Sequence, residues 1–95
     1  MFYVYILHSQ SADKFYVGQT ENVENRLSSH NELSENSFTS KYRPWAVKRV
    51  IEVKTRSEAM ILERYIKKRK SRKYIQQLIQ YDKIVLDLIQ KKLPA

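Results

Sequence analysis

One glycine, Gly18, stands in the whole 95-residue chain, and its setting constrains the fold more than any other feature. A chain that uses a single glycine places it where a β-carbon cannot go, at a turn with positive φ or where something approaches the backbone closely. Gly18 ends the apolar run Phe15-Tyr16-Val17, and Thr20 or Asn22 just beyond it can cap a helix. Upstream lies a partner run, Phe2-Tyr3-Val4-Tyr5-Ile6-Leu7. The two pair as a hairpin across His8 to Lys14, with Ser9, Ser11 and Asp13 supplying turn chemistry. In the first run Tyr3, Tyr5 and Leu7 alternate with Phe2, Val4 and Ile6. Both faces are apolar, which predicts a central strand covered on each side.

The rest of the chain adds one strand and several helices. Residues 22–31 predict a helix with Val23 and Leu27 turned to the core, and Arg26 and His30 beside that stripe. Asn31 to Ser37 is polar and able to turn; Phe38 to Tyr42 forms a short helix or an ordered loop that Pro44 stops. Residues 46–53 read as the third strand, with Val47, Ile51 and Val53 on one face. Thr55-Arg56-Ser57-Glu58 is a capping box opening a helix over 56–69. Ser71 can cap another helix carrying Ile75, Leu78 and Ile79, and Ile84 to Leu93 is apolar enough to be helical and to pack back or pair with another chain. The pattern is α/β and one domain: residues 1–80, with 81–95 as its C-terminal helical extension.

Charge says what the partner is. The first sixty residues hold eight cations against seven acids, whereas residues 61–95 hold ten against three. That asymmetry attracts a polyanion to one part of the molecule, nucleic acid before an anionic membrane surface. The absence of cysteine excludes disulfides and thiolate metal sites. No signal-peptide pattern or membrane-length apolar run is seen, so the expectation is a soluble, cytoplasmic protein with no membrane partner.

Four features can carry chemistry, and each also has a plain structural reading. Tyr5 and Tyr16 suit a half-buried sheet, but on paired strands beside Gly18 their hydroxyls can meet a phosphate or a water. Arg26 and His30 sit four apart on one helix: a guanidinium fork for a phosphate oxygen, and an imidazole able to relay a proton, or else a solvated face. Glu63 is either an exposed partner of Lys67 or, at the edge of an apolar stripe amid cations, a ligand for a hard divalent ion. Arg64, Lys67, Lys68, Arg69, Lys70, Arg72 and Lys73 form a run of cations without an acid, which favours polyanion contact over a solvated face. Lys41, Arg43 and Trp45 add cations interleaved with aromatics, suited to backbone contact and base stacking, unless Tyr42 and Trp45 cover the end of the sheet.

Tyr-Val-Tyr-Ile-Leu at 3–7, Phe-Tyr-Val-Gly-Gln-Thr at 15–20, Asn22 to Asn31, Tyr-Arg-Pro-Trp at 42–45 and Glu-Ala-Met-Ile-Leu-Glu at 58–63 together resemble the motifs of the GIY-YIG nuclease family. The likeness covers about residues 2–80 and is to small stand-alone domains similar to the N-terminal incision domain of the nucleotide-excision-repair nuclease subunit. It implies a GIY-YIG-like sandwich, a three-stranded antiparallel sheet flanked by helices. It also implies a DNA endonuclease, of use in repair or recombination, working with one divalent cation, Mg²⁺ or Mn²⁺. Family roles fall on Tyr5, Tyr16, Arg26, His30 and Glu63 as catalytic residues, with Glu63 holding the metal. Tyr3 stands where the family's name-giving glycine does, and no asparagine follows the glutamate helix, where many members carry one. The alternative is a catalytically weak nucleic-acid-binding or adaptor module that keeps the fold, and less favoured is a protein-interaction or homodimer surface at 84–93.

Overall fold

The computed structural model describes residues 1–33 and 41–94; what the sequence predicts for residues 34–40 lies outside them. Strands β1 (Phe2–Ser9), β2 (Lys14–Thr20) and β3 (Trp45–Val53) form one antiparallel sheet in the order β2-β1-β3. The doubly apolar strand is central, as its alternation predicts. Helices are α1 (Val23–Ser28), α2 (Arg56–Arg69), α3 (Arg72–Gln80) and α4 (Asp82–Lys92), and a π-helical turn (Ser29–Leu33) continues α1.

The two faces of β1 feed two separate clusters. Val4, Ile6, Val17, Ile51 and Val53 pack under Ala59, Leu62 and Ile66 of α2, Leu78 of α3 and Val85 and Leu88 of α4. The other face holds Tyr5, Leu7 and Trp45, edged by Tyr16, Leu27, Tyr42 and Val47. Val47 thus departs from the expected face. The register shifts between Ile6, opposite Arg49, and Leu7, opposite Val47, so Lys48 is an extra residue. Such a bulge reverses the alternation beyond it.

Caps explain the helix boundaries. The Glu58 N–H donates to Thr55 Oγ1 at 3.1 Å, and the Thr55 N–H donates to Glu58 Oε1 at 3.3 Å, completing the capping box. With no glycine to spare, α2 ends at Lys70 in the left-handed region (φ 49°), and Ser71 Oγ then accepts from the Tyr74 N–H to start α3. The apolar stretch 84–93 packs back on its own chain, burying Val85 and Leu88 in the main cluster while Leu86 stays exposed. Arg49 fastens β3 to the α3–α4 junction: its guanidinium donates to Leu78 O (2.7 Å), Ile79 O (2.8 Å) and Asp82 Oδ1 (2.8 Å). Among the described residues no helix is long and apolar enough to cross a membrane.

Candidate active site

Gly18 lies directly opposite Tyr5 across β1 and β2. Its φ is not positive, so of the two uses of a lone glycine the chain takes close approach. What approaches is the Tyr5 ring: a β-carbon at Gly18 would sit 2.6 Å from Tyr5 Cζ and 3.1 Å from Tyr16 Cε1. The missing side chain is the space in which the two tyrosines lie, with ring centroids 6.3 Å apart.

His30 closes this space from the other side. The predicted single helix over 22–31 is instead α1 followed by the π-helical turn, and His30 is only 5% exposed rather than on a solvated face. Tertiary bonds hold the turn there. Tyr5 Oη and His30 Nε2 are 3.0 Å apart, the His30 carbonyl accepts from Arg43 Nε at 2.7 Å, and Asn31 brackets the backbone of Trp45. Asn31 Nδ2 donates to Trp45 O (3.0 Å) and the Trp45 N–H donates to Asn31 Oδ1 (2.6 Å), so this side chain acts as a strand partner at the start of β3. The edge of the His30 ring meets Tyr16 at 4.7 Å between centroids. Val23 and Leu27 are half-buried, and α1 puts no residue into the main core.

Arg26 lies beside both tyrosines, and their hydroxyls, Tyr5 first, hold it further in its charged range. The Tyr5 hydroxyl donates to His30 Nε2 when the imidazole is neutral with its own proton on Nδ1. Burial, then the Arg26 charge, lowers the His30 pKa, so the imidazole is neutral near pH 7 and able to accept that bond. Burial also raises the Tyr5 pKa, against the lowering pull of Arg26. Tyr5 is 1% exposed, whereas Tyr16 is half-buried at the edge of the cluster.

Glu63, on α2, meets the rim of this group through Lys67. Its Oε1 accepts from Lys67 Nζ at 3.1 Å, so the i, i+4 pair of the plain reading forms; the same ammonium lies 5.7 Å from the Tyr16 ring centroid. Among the described residues no three His, Cys, Asp or Glu side chains cluster. One carboxylate with a second oxygen left for coordination still fits a Mg²⁺-like ion, which keeps waters and takes further ligands from substrate phosphate.

The structure therefore packs Tyr5, Tyr16 and His30 together, with Arg26 beside the tyrosines and Glu63 at their rim next to Lys67. Beyond them, Arg64, Lys67, Lys68, Arg69, Lys70, Arg72, Lys73 and Lys41 are exposed. Arg69 stacks on Tyr74 (4.0 Å) and bonds the Tyr65 hydroxyl, while Arg72 pairs with Asp13. Trp45 is 3% exposed, so its ring covers the end of the sheet and has no free face for a base. Arg43 is half-buried against His30. Sequence reasoning missed Asn31, whose side chain sets the start of β3; an asparagine beside a predicted helix end carried no signal of a partner fourteen residues on.

A family model described as the GIY-YIG catalytic domain matches residues 1–76. The chain belongs to the GIY-YIG family. Comparison with curated proteins and with solved structures gave no match. The GIY-YIG sheet and its flanking helices account for the order of elements seen here, and the domain implies nuclease-type activity on DNA.

Proposed function

We propose that this GIY-YIG domain is a metal-dependent endonuclease that hydrolyses DNA phosphodiester bonds in repair or recombination. The observation that carries the reading is the packing of Tyr5 and Tyr16 in the space left by Gly18, with His30 bonded to Tyr5, Arg26 beside both rings and Glu63 at the rim next to Lys67. Four segments of the chain, β1, β2, the α1 region and α2, contribute.

Water attacks phosphorus, the bond to the leaving oxygen breaks, and the proton the water sheds passes through solvent to that leaving oxygen. Tyr16, the half-buried tyrosine, orients the attacking water. Arg26, exposed beyond the tyrosines, neutralises charge that grows on the phosphate oxygens. Tyr5 and neutral His30 are positioning residues that hold Tyr16 and Arg26 from beneath. Glu63 would hold a divalent cation, Mg²⁺ or Mn²⁺, which would supply Lewis-acid polarisation of the phosphate. Lys67 keeps the Glu63 carboxylate in place.

The test incubates purified protein with plasmid and branched DNA, with Mn²⁺, Mg²⁺ or chelator, beside Glu63→Gln, Arg26→Ala, Tyr16→Phe and Tyr5→Phe. Metal-dependent nicking that Glu63→Gln and Arg26→Ala abolish while DNA binding survives is expected, with Tyr16→Phe costing more than Tyr5→Phe. Tight binding with no cleavage of any substrate would favour an adaptor module that kept the fold. Cleavage that persists in Glu63→Gln would place the chemistry elsewhere.

A further inference from the structure

Three depressions adjoin one another around the tip of the β1–β2 hairpin. The largest, about 710 Å³, is lined in part by His8, Phe15, Lys48 and Arg72. It shares Phe15 and Arg72 with a second that adds Lys14, Lys70 and Ser71. It shares His8 and Lys48 with a third that runs on to Gln10 and Pro44. Lys14, Lys48, Lys70 and Arg72 are all exposed, and they come from β2, β3, the end of α2 and the start of α3. Lys48 is the extra residue of the β3 bulge, so the irregularity that reverses the strand also supplies a cation to the furrow.

Asp13 is the one acid lining the furrow among the described residues, and it is already committed. It sits at φ 51°, its Oδ1 accepting from Arg72 Nη2 at 2.6 Å and lying 2.9 Å from His8 Nε2. The furrow is therefore positive along its length. Its Phe15 end lies apart from the catalytic group, since Phe15 packs against the main core on the α2–α4 side of the sheet, whereas Tyr5 and Tyr16 lie in the opposite cluster, which the third depression touches at Trp45. Three residues before Lys70, Lys67 lies over the Tyr16 ring at 5.7 Å from its centroid.

We propose that this furrow is a second DNA-binding surface, a track for the phosphate backbone leading from the catalytic face round the hairpin tip. Cations drawn from four elements and spread over three adjoining depressions match a linear polyanion rather than a single bound anion. The N-terminus of α3, with no acid in its first turn, adds its partial positive charge at the middle of the track. The inference rests on the nuclease reading for the identity of the polyanion.

Fluorescence anisotropy with a short labelled duplex in chelator tests it, since no cleavage is needed. Lys14→Gln/Lys48→Gln removes two track cations that lie outside the basic helix run. The slope of log affinity against log salt, measured between about 50 and 200 mM, should flatten by about 1.8, or ~0.9 per lost phosphate contact. Lys54→Gln/Lys91→Gln removes the same charge elsewhere and should leave the slope as it was. An unchanged slope in the first variant, or equal flattening in the second, overturns the track. Loss of the track leaves the metal-dependent nicking test to stand or fall separately.

Discussion

Gly18→Ala isolates the physical reason for the chain's one glycine. The added carbon would meet Tyr5 Cζ at 2.6 Å, where carbon–carbon contact is comfortable at about 3.5–4.0 Å, so the ring must recede by roughly 1 Å. The ring is 1% exposed and tied to His30, so it has no solvent to swing into. Overpacking of this kind costs about 1–3 kcal/mol. Because Gly18 is not at positive φ, alanine also gains about 0.4–1 kcal/mol by restricting the unfolded chain. The net destabilisation is about 1–2 kcal/mol, a fall in Tm on the order of 4–16 °C for a domain of this size. Urea or thermal unfolding measures it, and nicking activity should fall on the order of 100-fold, since the tyrosines move by about 1 Å. In a Tyr5→Leu background the clash with that ring is absent and only the 3.1 Å approach to Tyr16 Cε1 remains, so Gly18→Ala should cost much less. Equal or greater stability of Gly18→Ala alone, or the same cost in both backgrounds, would refute the reasoning.

His30 gives a pH signature. Burial and the Arg26 charge hold its pKa below the ordinary 6.5, so as pH falls the unfolded chain takes the proton first. Stability is complete above about 6.5 and declines as pH drops below it; His30→Asn should flatten that part of a Tm-against-pH curve. Arg49→Met should cost about 1–3 kcal/mol in urea unfolding, because the Leu78 and Ile79 carbonyls lose charged donors at a half-buried site, whereas Asp82→Asn, at an exposed carboxylate, should cost far less.

The hairpin, the central position of β1, the α2 capping box and the cation run are local statements, written in adjacent residues, and they could be read directly. Alternation of Phe2 to Leu7 reports two covered faces wherever the strand ends up, and Thr55 with Glu58 satisfies the start of α2 without help from the rest of the fold. The candidate site was legible as a set of residue types with family spacing. Its geometry was decided by contacts between segments. The extra Lys48 that returns Val47 to the Tyr5 side is invisible in a periodic pattern, because a bulge arises only when one strand is registered against another. His30 leaves the solvated face because Tyr5, Arg43 and Asn31 fix the π-helical turn against the sheet. Trp45 is drawn under cover by the same bonds, and α4 is held in the main core by Val85 and Leu88 meeting a face completed by the sheet, α2 and α3. A sequence records which side chains are apolar or charged; which cavity each one fills depends on neighbours up to dozens of residues away, and only the folded chain supplies them.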